Sequence, residues 1–381
     1  MSVDLSVVVV NYNSSAYVED LLDSLFADAF TVGDRPGEVE VIVVDNASRA
    51  EDHARLASLR GPQVRLVRNT ENVGYAIANN QGFHVASGRW HVVSNPDVVI
   101  RPGCLQALIN AVETLPDAAI VGPLATMDHE GEMLMPPNEL LDPFLDSLIA
   151  SARHEPAIAR VRARHRTRDA HRYWTASAPL PVPMLSGCFF LGRRDTFEAH
   201  GLFDPGYPLY YEDLDLFLRY HREGRRLWHV PAARILHYWS RSADTHMKAA
   251  MHRNRVGSRR YFRKFFGAAG LRSHLSNDAR ATARARDDAC PFTLDRLPPA
   301  ADPPALPMPE TDGVYLEVSA NPKFFFSVGV LPLEAGPYTL PQGFWDGLPD
   351  VSLWCRAVDP ATYDTLQAWR VTKRAQPSDD G

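Results

Sequence analysis

Three carboxylates, Glu212, Asp213 and Asp215, crowd the start of an apolar helical pattern in LYYEDLDLFLRY, residues 209–220. Two kinds of chemistry suit such a cluster. Acids in a first helical turn take up free backbone N–H groups and favour the positive end of the macrodipole, a purely structural use. Alternatively, one carboxylate abstracts a proton while a neighbour holds it in place, in a pocket lined by Tyr210 and Tyr211. Further polar sets follow β-branched runs earlier in the chain: NYNS at 11–14, DNAS at 45–48, NTENVGYAIANNQG at 69–82 and NPDV at 95–98. Any one Asx-rich loop is an ordinary turn. A series of them, each at the end of an expected strand, asks for a shared purpose.

The elements that must position these residues are legible from periodicity. LSVVVV (5–10) and VEVIVV (39–44) read as buried strands, and Ser15 to about Ala27 as a helix with Val18, Leu21, Leu22 and Leu25 on one face. QVRLVR and RWHVVS continue the series around a helix from about Tyr75 to Val85. Strands alternating with helices imply a mainly parallel sheet covered on both faces, with ligands at the carboxyl ends of its strands. No GxGxxG follows the first strand, which argues against dinucleotide binding.

Farther along, RHEPAIARVRARHRTRDAHRYW (153–174) shows no clear core face and reads as a solvated insertion, with an anion-binding or lid role as the alternative. A strand is expected at 182–191, a short helix ended by Gly201, and two short strands around Pro231. From Ser242 to about Arg286 the chain is strongly basic. Tyr261, Phe262, Phe265 and Phe266 there fall at helical spacing, fitting either a core helix or one lying on an anionic membrane. CPFTLDRLPPAADPPALPMPE (290–310) reads as an extended Pro-rich linker, and 311–375 as a small β-rich region. The expected organisation is therefore 1–242, a basic helical extension 243–289, the linker 290–310 and a β-rich domain 311–381.

Composition narrows the class. The 381 residues carry a formal charge of -6, which argues against nucleic acid as a main partner. Cys104, Cys188, Cys290 and Cys355 are widely spaced without a CxxC pair, so neither a zinc cage nor a disulfide framework is indicated. The start lacks the features of a signal peptide, and no window nears the roughly 20 apolar residues of a membrane span. A cytoplasmic location is expected, with any membrane contact peripheral, on the inner face of the plasma membrane.

Taken together, VVVVNYNS, VVDNAS, NVGYAIANNQG, NPDV, LSGCFFLGRR, GLFD, YYEDLDLFLR and ILHYWSRS resemble the family 2 inverting glycosyltransferases of the GT-A fold, most closely the rhamnosyltransferase-like branch. The resemblance runs from about Leu5 to Ser242. It implies an α/β fold, a Rossmann-like mixed sheet with helices on both faces, to which the C-terminal β-rich domain is added. It also implies roles. Asp45 reads the nucleotide base; Asn11 and Asn13 line the nucleotide pocket; Asn72 and Gly74 form the next nucleotide-contacting loop. NPD (95–97) stands where most of the fold has an aspartate-x-aspartate motif, so Asn95 replaces the first acid in the nucleotide-sugar site. Asp97 becomes the first ligand of Mg²⁺ or Mn²⁺, with His237 as a second near the diphosphate. Asp213 is the general base, and Glu212 binds the acceptor or orients the loop. The implied reaction moves L-rhamnose from dTDP-rhamnose to a glycan or lipid-linked acceptor. Two alternatives stay open: the same chemistry with UDP-galactofuranose, UDP-N-acetylglucosamine or UDP-glucose, and a non-catalytic glycan-binding or scaffold protein.

Overall fold

The computed structural model describes residues 3–59, 61, 63–238, 247–283 and 289–374. Contacts divide the chain into two compact units: Met1–Ala125, Pro137–Leu141 and Ala176–Leu271 form the first, and Thr126–Pro136, Asp142–Thr175 and Arg272–Gly381 the second.

In chain order the elements before residue 180 are β1 (Leu5–Asn11), α1 (Ser15–Ala27), β2 (Thr31–Val32), β3 (Arg35–Pro36), β4 (Val39–Asp45), α2 (Ala50–Ser58), β5 (Val64–Arg68), α3 (Tyr75–Val85), β6 (Trp90–Ser94), β7 (Val98–Ile100), α4 (Cys104–Thr114), β8 (Ala118–Thr126), α5 (Pro143–Ala152) and α6 (Pro156–Trp174). They continue with β9 (Leu180–Val182), β10 (Phe189–Arg193), α7 (Arg194–His200), α8 (Glu212–Arg222), β11 (Arg226–His237) and α9 (Met247–Ala283). Last come β12 (Asp295–Arg296), β13 (Ala305–Leu306), β14 (Val314–Ser319), β15 (Val328–Leu333), β16 (Tyr338–Thr339), α10 (Gln342–Asp346), β17 (Ser352–Val358) and β18 (Thr365–Thr372).

The first unit is built on a mixed sheet in the order β5-β4-β1-β6-β10-β8-β11-β7, with β9 paired to β11. β1 pairs in parallel with β4 and β6, and β4 with β5. β10 then runs antiparallel to β6 and β8. Val7, Val8, Val9, Val41, Ile42 and Val43 are all fully buried, as a continuous apolar run covered on both faces requires. α1 turns Val18, Leu21, Leu22 and Leu25 inward as its spacing predicts. The α/β architecture with a β-rich C-terminal region is the one expected, and no helix among the described residues is long and apolar enough to cross a membrane.

Three expectations need correction. The strand placed at 182–191 is two strands, β9 and β10, separated by residues 183–188, because Pro183 has no N–H for the ladder and the chain bends on through Gly187. The two strands around Pro231 are one, β11, which keeps a single direction while its partner changes from β9 at Leu227–His229 to β7 at Ile235–His237. The basic insertion is no solvated loop: α6 buries Ala159, Arg162, Ala163, Arg166, Thr167, Ala170, Tyr173 and Trp174 at three- and four-residue spacing. That face escaped notice because it is made of alanines and of arginine stems, Arg162 lying over the Phe325 ring at 5.1 Å. Of the two readings open for the aromatics of α9, the core helix is the one found. Tyr261 and Phe262 are fully buried and pack with Tyr207, Tyr211, Leu214 and Leu218, with Phe265 and Phe266 partly buried beside them.

The second unit has a five-stranded sheet in the order β12-β18-β17-β14-β15. Its core contains Trp345, Trp369, Val371, Leu316 and Cys355, and the Pro-rich stretch adds Leu306 and Met308 to it. That stretch is extended but not free: Ala305 and Leu306 pair with Tyr338 and Thr339. Residues 239–242 of the motif after β11, and 243–246 and 284–288 of the basic extension, lie outside the described residues.

Candidate active site

The carboxyl ends of β1 and β4 lie side by side, with Asn11 opposite Asp45 in register. Around them the DNAS loop is tied down by its own polar groups. Asn11 Nδ2 and the Asn13 backbone N–H both donate to Ser48 Oγ at 3.0 Å, and Asn13 Oδ1 accepts from the Arg49 N–H at 2.9 Å. Asp45 Oδ1 accepts from the Ser48 N–H at 3.0 Å, and its Oδ2 lies 2.8 Å from His53 Nδ1. Asp45 is wholly buried with both oxygens partnered, so in this state it organises the loop, through a histidine that spacing alone did not reveal. Asn11 Oδ1 is the buried acceptor here without a partner among the described residues.

The next loop is held in the same manner. Asn72 Oδ1 accepts from Asn46 Nδ2 at 3.0 Å and from the Gly74 N–H at 3.1 Å, an Asx turn. Gly74 has φ 90°, and a Cβ placed on it would stand 2.8 Å from the Pro208 carbonyl oxygen. Only glycine allows the loop that close to the segment leading into the acid cluster. Tyr75 then donates its hydroxyl to Asn95 Oδ1 at 3.0 Å, so the residue standing for the missing acid is held by a tyrosine that the sequence reading did not single out.

The three acids of α8 separate into two kinds. Asp215 is fully buried and accepts from the Tyr207 hydroxyl at 2.9 Å and from Arg219 Nε at 2.7 Å, with Lys264 of α9 as an ion partner. It ties two helices together. Among the described residues Glu212 and Asp213 have no cation of this sort. Glu212 is buried and its Oε2 lacks a partner among the described residues, while Asp213 is partly open and accepts from the Leu214 N–H at 2.8 Å. Burial raises both pKa values: Glu212, which also faces the Asp213 charge, to about 8, and Asp213 to about 6 against the pull of the Leu214 N–H.

Asp213 lies against the loop before β10. A Cβ on Gly187 would fall 2.8 Å from Asp213 Oδ2, so the LSGC glycine makes room for the carboxylate. The adjacent Cys188 accepts the Asn95 N–H on its carbonyl at 2.7 Å. Asp97 and His237, at the ends of adjacent chain segments, complete this edge: His237 Nε2 is 3.4 Å from Asp97 Oδ1, an ion-pair distance too long for a well-formed hydrogen bond. Burial lowers the His237 pKa, but the Cys188 sulfur and the Asp97 carboxylate outweigh it and raise it to about 10. Asp97 Oδ1 and His237 Nδ1 are buried without hydrogen-bond partners among the described residues.

Among those residues no set of three or more His, Cys, Asp or Glu side chains forms a metal cage. The Asp97–His237 pair nonetheless suits a hard divalent ion that takes one carboxylate oxygen and completes its shell with water and phosphate oxygens, because Asp97 Oδ1 accepts no hydrogen bond among the described residues and has only His237 at ion-pair distance. The structure thus links Asp213, Gly187, Cys188, Asn95, Asp97 and His237 into one continuous edge. Gly187 and Tyr75 were missed because each acts through a contact distant in sequence.

Strand-end polar loops beside an acid couple with no cation partner among the described residues are an arrangement suited to polar substrates. Comparison with known proteins specifies it. The model of the family described as "Glycosyl transferase family 2" matches residues 6–201. An N-acetylglucosaminyl-diphospho-decaprenol L-rhamnosyltransferase of Mycobacterium tuberculosis (strain CDC 1551 / Oshkosh) is 32% identical over 250 residues, covering 62% of this chain and 77% of that protein. The rhamnosyltransferase WbbL of Escherichia coli (strain K12) is 26% identical over 286 residues, covering 74% of this chain and 93% of its own. A succinoglycan biosynthesis protein, ExoO, of Rhizobium meliloti (strain 1021) is 31% identical over 153 residues, covering 38% and 42%. The chain belongs to glycosyl transferase family 2 and is a glycosyltransferase.

Proposed function

We propose that this chain transfers L-rhamnose, with inversion, from dTDP-rhamnose to a hydroxyl of a lipid-linked glycan. The observation that carries it is the unpaired Glu212–Asp213 couple set on the same edge as Asp97. Inverting transfer needs a base facing the anomeric carbon from the side opposite the leaving diphosphate. Asp213, with its pKa raised, takes the proton of the acceptor hydroxyl as that oxygen bonds to the anomeric carbon and the bond to the diphosphate breaks. Glu212, still protonated near neutrality, donates a hydrogen bond to the acceptor or to the loop without adding a second charge beside the base.

Asp97, and His237 once the cation displaces its proton, would hold Mg²⁺ or Mn²⁺, which when bound neutralises the diphosphate. Asn11, Asn13, Asp45, Asn72, Gly74 and Asn95 shape the nucleotide-sugar side, directly or by fixing the loops that contact it. The donor sugar is proposed from the relatives, two of which are rhamnosyltransferases by name. The lipid-linked acceptor follows from one of them, whose name specifies a diphospho-decaprenol sugar. A peripheral place on the inner face of the plasma membrane agrees with such an acceptor and with the exposed Arg255, Arg259 and Arg263 of α9.

The test is a thermal-stability panel of nucleotide sugars with and without Mg²⁺ or Mn²⁺. A cognate donor at 100 times its dissociation constant adds about 2.7 kcal/mol. Stabilisation by dTDP-rhamnose above the UDP-sugars is expected. Equal or greater stabilisation by a UDP-sugar would overturn the donor assignment.

A further inference from the structure

Tyr210 and Tyr211 both adopt left-handed backbone conformations, φ 65° and 71°, immediately before the helix bearing the acid pair. Side chains with a Cβ disfavour that region, and no other adjacent pair of non-glycine residues occupies it among the described residues. Backbone contacts impose the turn. The Pro208 carbonyl lies against Gly74, and the Tyr210 carbonyl lies against Gly257 of α9, where an added Cβ would stand 2.7 Å from the oxygen. Neither neighbour could approach so closely with a side chain.

The turn sends its two rings to different places. Tyr211 packs on Tyr261 with ring centroids 5.6 Å apart. Tyr210 stays 38% exposed. Burial raises its pKa, with a smaller upward push from the Glu212 carboxylate and an opposing pull from Arg253. An exposed ring is held, by a costly backbone shape, two residues ahead of Glu212 and three ahead of Asp213 at the start of their helix. Packing accounts for Tyr211, which is partly buried against the α9 aromatics, but not for Tyr210, whose ring stays at the surface.

We propose that Tyr210 is an acceptor-binding residue whose ring face stacks on the C–H face of the acceptor sugar, leaving the hydroxyl edge of the sugar to Asp213 and Glu212. A pyranose has just this division between an apolar face and a polar edge. A tyrosine supplies a large flat contact at the cost of ordering only two side-chain torsions. The inference rests on the reading of Asp213 as the base.

The experiment is a binding titration of the full chain with octyl glycosides (glucoside, galactoside, rhamnoside and N-acetylglucosaminide), followed by saturation transfer to the ring protons of the sugar. Wild type is expected to bind at least one of them. Tyr210→Phe should keep that affinity, and Tyr210→Ala and Tyr210→Asn should weaken it about tenfold. Asparagine tolerates the left-handed region, so the Asn variant should lose binding without a lower melting temperature. Undiminished binding in both ringless variants, or no binding of any glycoside by wild type, overturns the proposal. Nucleotide-sugar stabilisation is measured on the same samples, so that an error in the donor reading appears there and not in the glycoside titration.

Discussion

Two glutamates are buried to nearly the same degree in the two units, Glu317 at 1% and Glu212 at 6% exposure, and their surroundings differ completely. Glu317 accepts from Arg356 Nε at 3.0 Å and Nη2 at 2.6 Å, from Thr167 Oγ1 at 2.6 Å and from Ser327 Oγ at 3.0 Å. Both oxygens are partnered, and the charge is matched. Glu212 has an oxygen with no partner among the described residues and a second carboxylate next to it. The first arrangement holds α6 to the C-terminal sheet; the second stores unfavourable electrostatics that folding by itself does not require. Asp215 shows that the contrast is not one of region. It stands three residues from Glu212 and is as fully compensated as Glu317.

Substitutions should pull these cases apart. The largest effect is expected from Asp213→Asn, which removes the base and should cost about 100- to 10,000-fold in kcat while leaving stability equal or higher, as checked by transfer assays and urea unfolding. Unchanged turnover would sink the assignment. Arg356→Ala should act in the opposite sense, destabilising the second unit by about 3–5 kcal/mol because Glu317 is left charged and unpaired, read by denaturant titration. Smaller is the effect of Gly187→Ala, whose methyl group must displace the Asp213 carboxylate. A fall in kcat of about tenfold with little change in donor KM is expected if the carboxylate shifts by a fraction of an ångström.

The pH dependence distinguishes the acids further. Because Glu212 has a folded-state pKa raised to about 8, above the roughly 4.3 of an unfolded glutamate, its contribution to stability is fully present below the lower value. That contribution is lost as pH rises through the upper one. Glu212→Gln should flatten this slope in unfolding free energies measured from pH 5 to 9. Turnover in the wild type should rise through about pH 6 as Asp213 ionises and decline beyond about 8 as Glu212 loses its proton. The smallest expected effect is at α9. Its exposed arginines should give weak binding to anionic vesicles that fades as salt passes about 0.15 M, where the Debye length is near 8 Å, and binding that ignores salt would exclude an electrostatic contact.

Much of the first unit was legible because its strands are continuous β-branched runs and its first helices carry aliphatic stripes. α1 and α3 begin and end where periodicity put them. α6 was not legible, since an alanine face between arginines looks the same as a solvated one until a sheet covers it. Nor was the division of labour among Glu212, Asp213 and Asp215. All three are acids in one helical turn, and the cation that claims Asp215, Lys264, is separated from it by the whole of β11 and half of α9.

Residue order alone determined the alternation of strands and helices, the polar loops at strand ends, and the motifs that mark a glycosyltransferase, because these depend on local periodicity and on side-chain chemistry. Tertiary structure decided which acid stays unpaired, which glycine makes room for it, and which tyrosine remains at the surface. Those outcomes depend on charges and backbone atoms brought within a few ångströms from distant parts of the chain, and hydrogen bonding and desolvation act only across such distances.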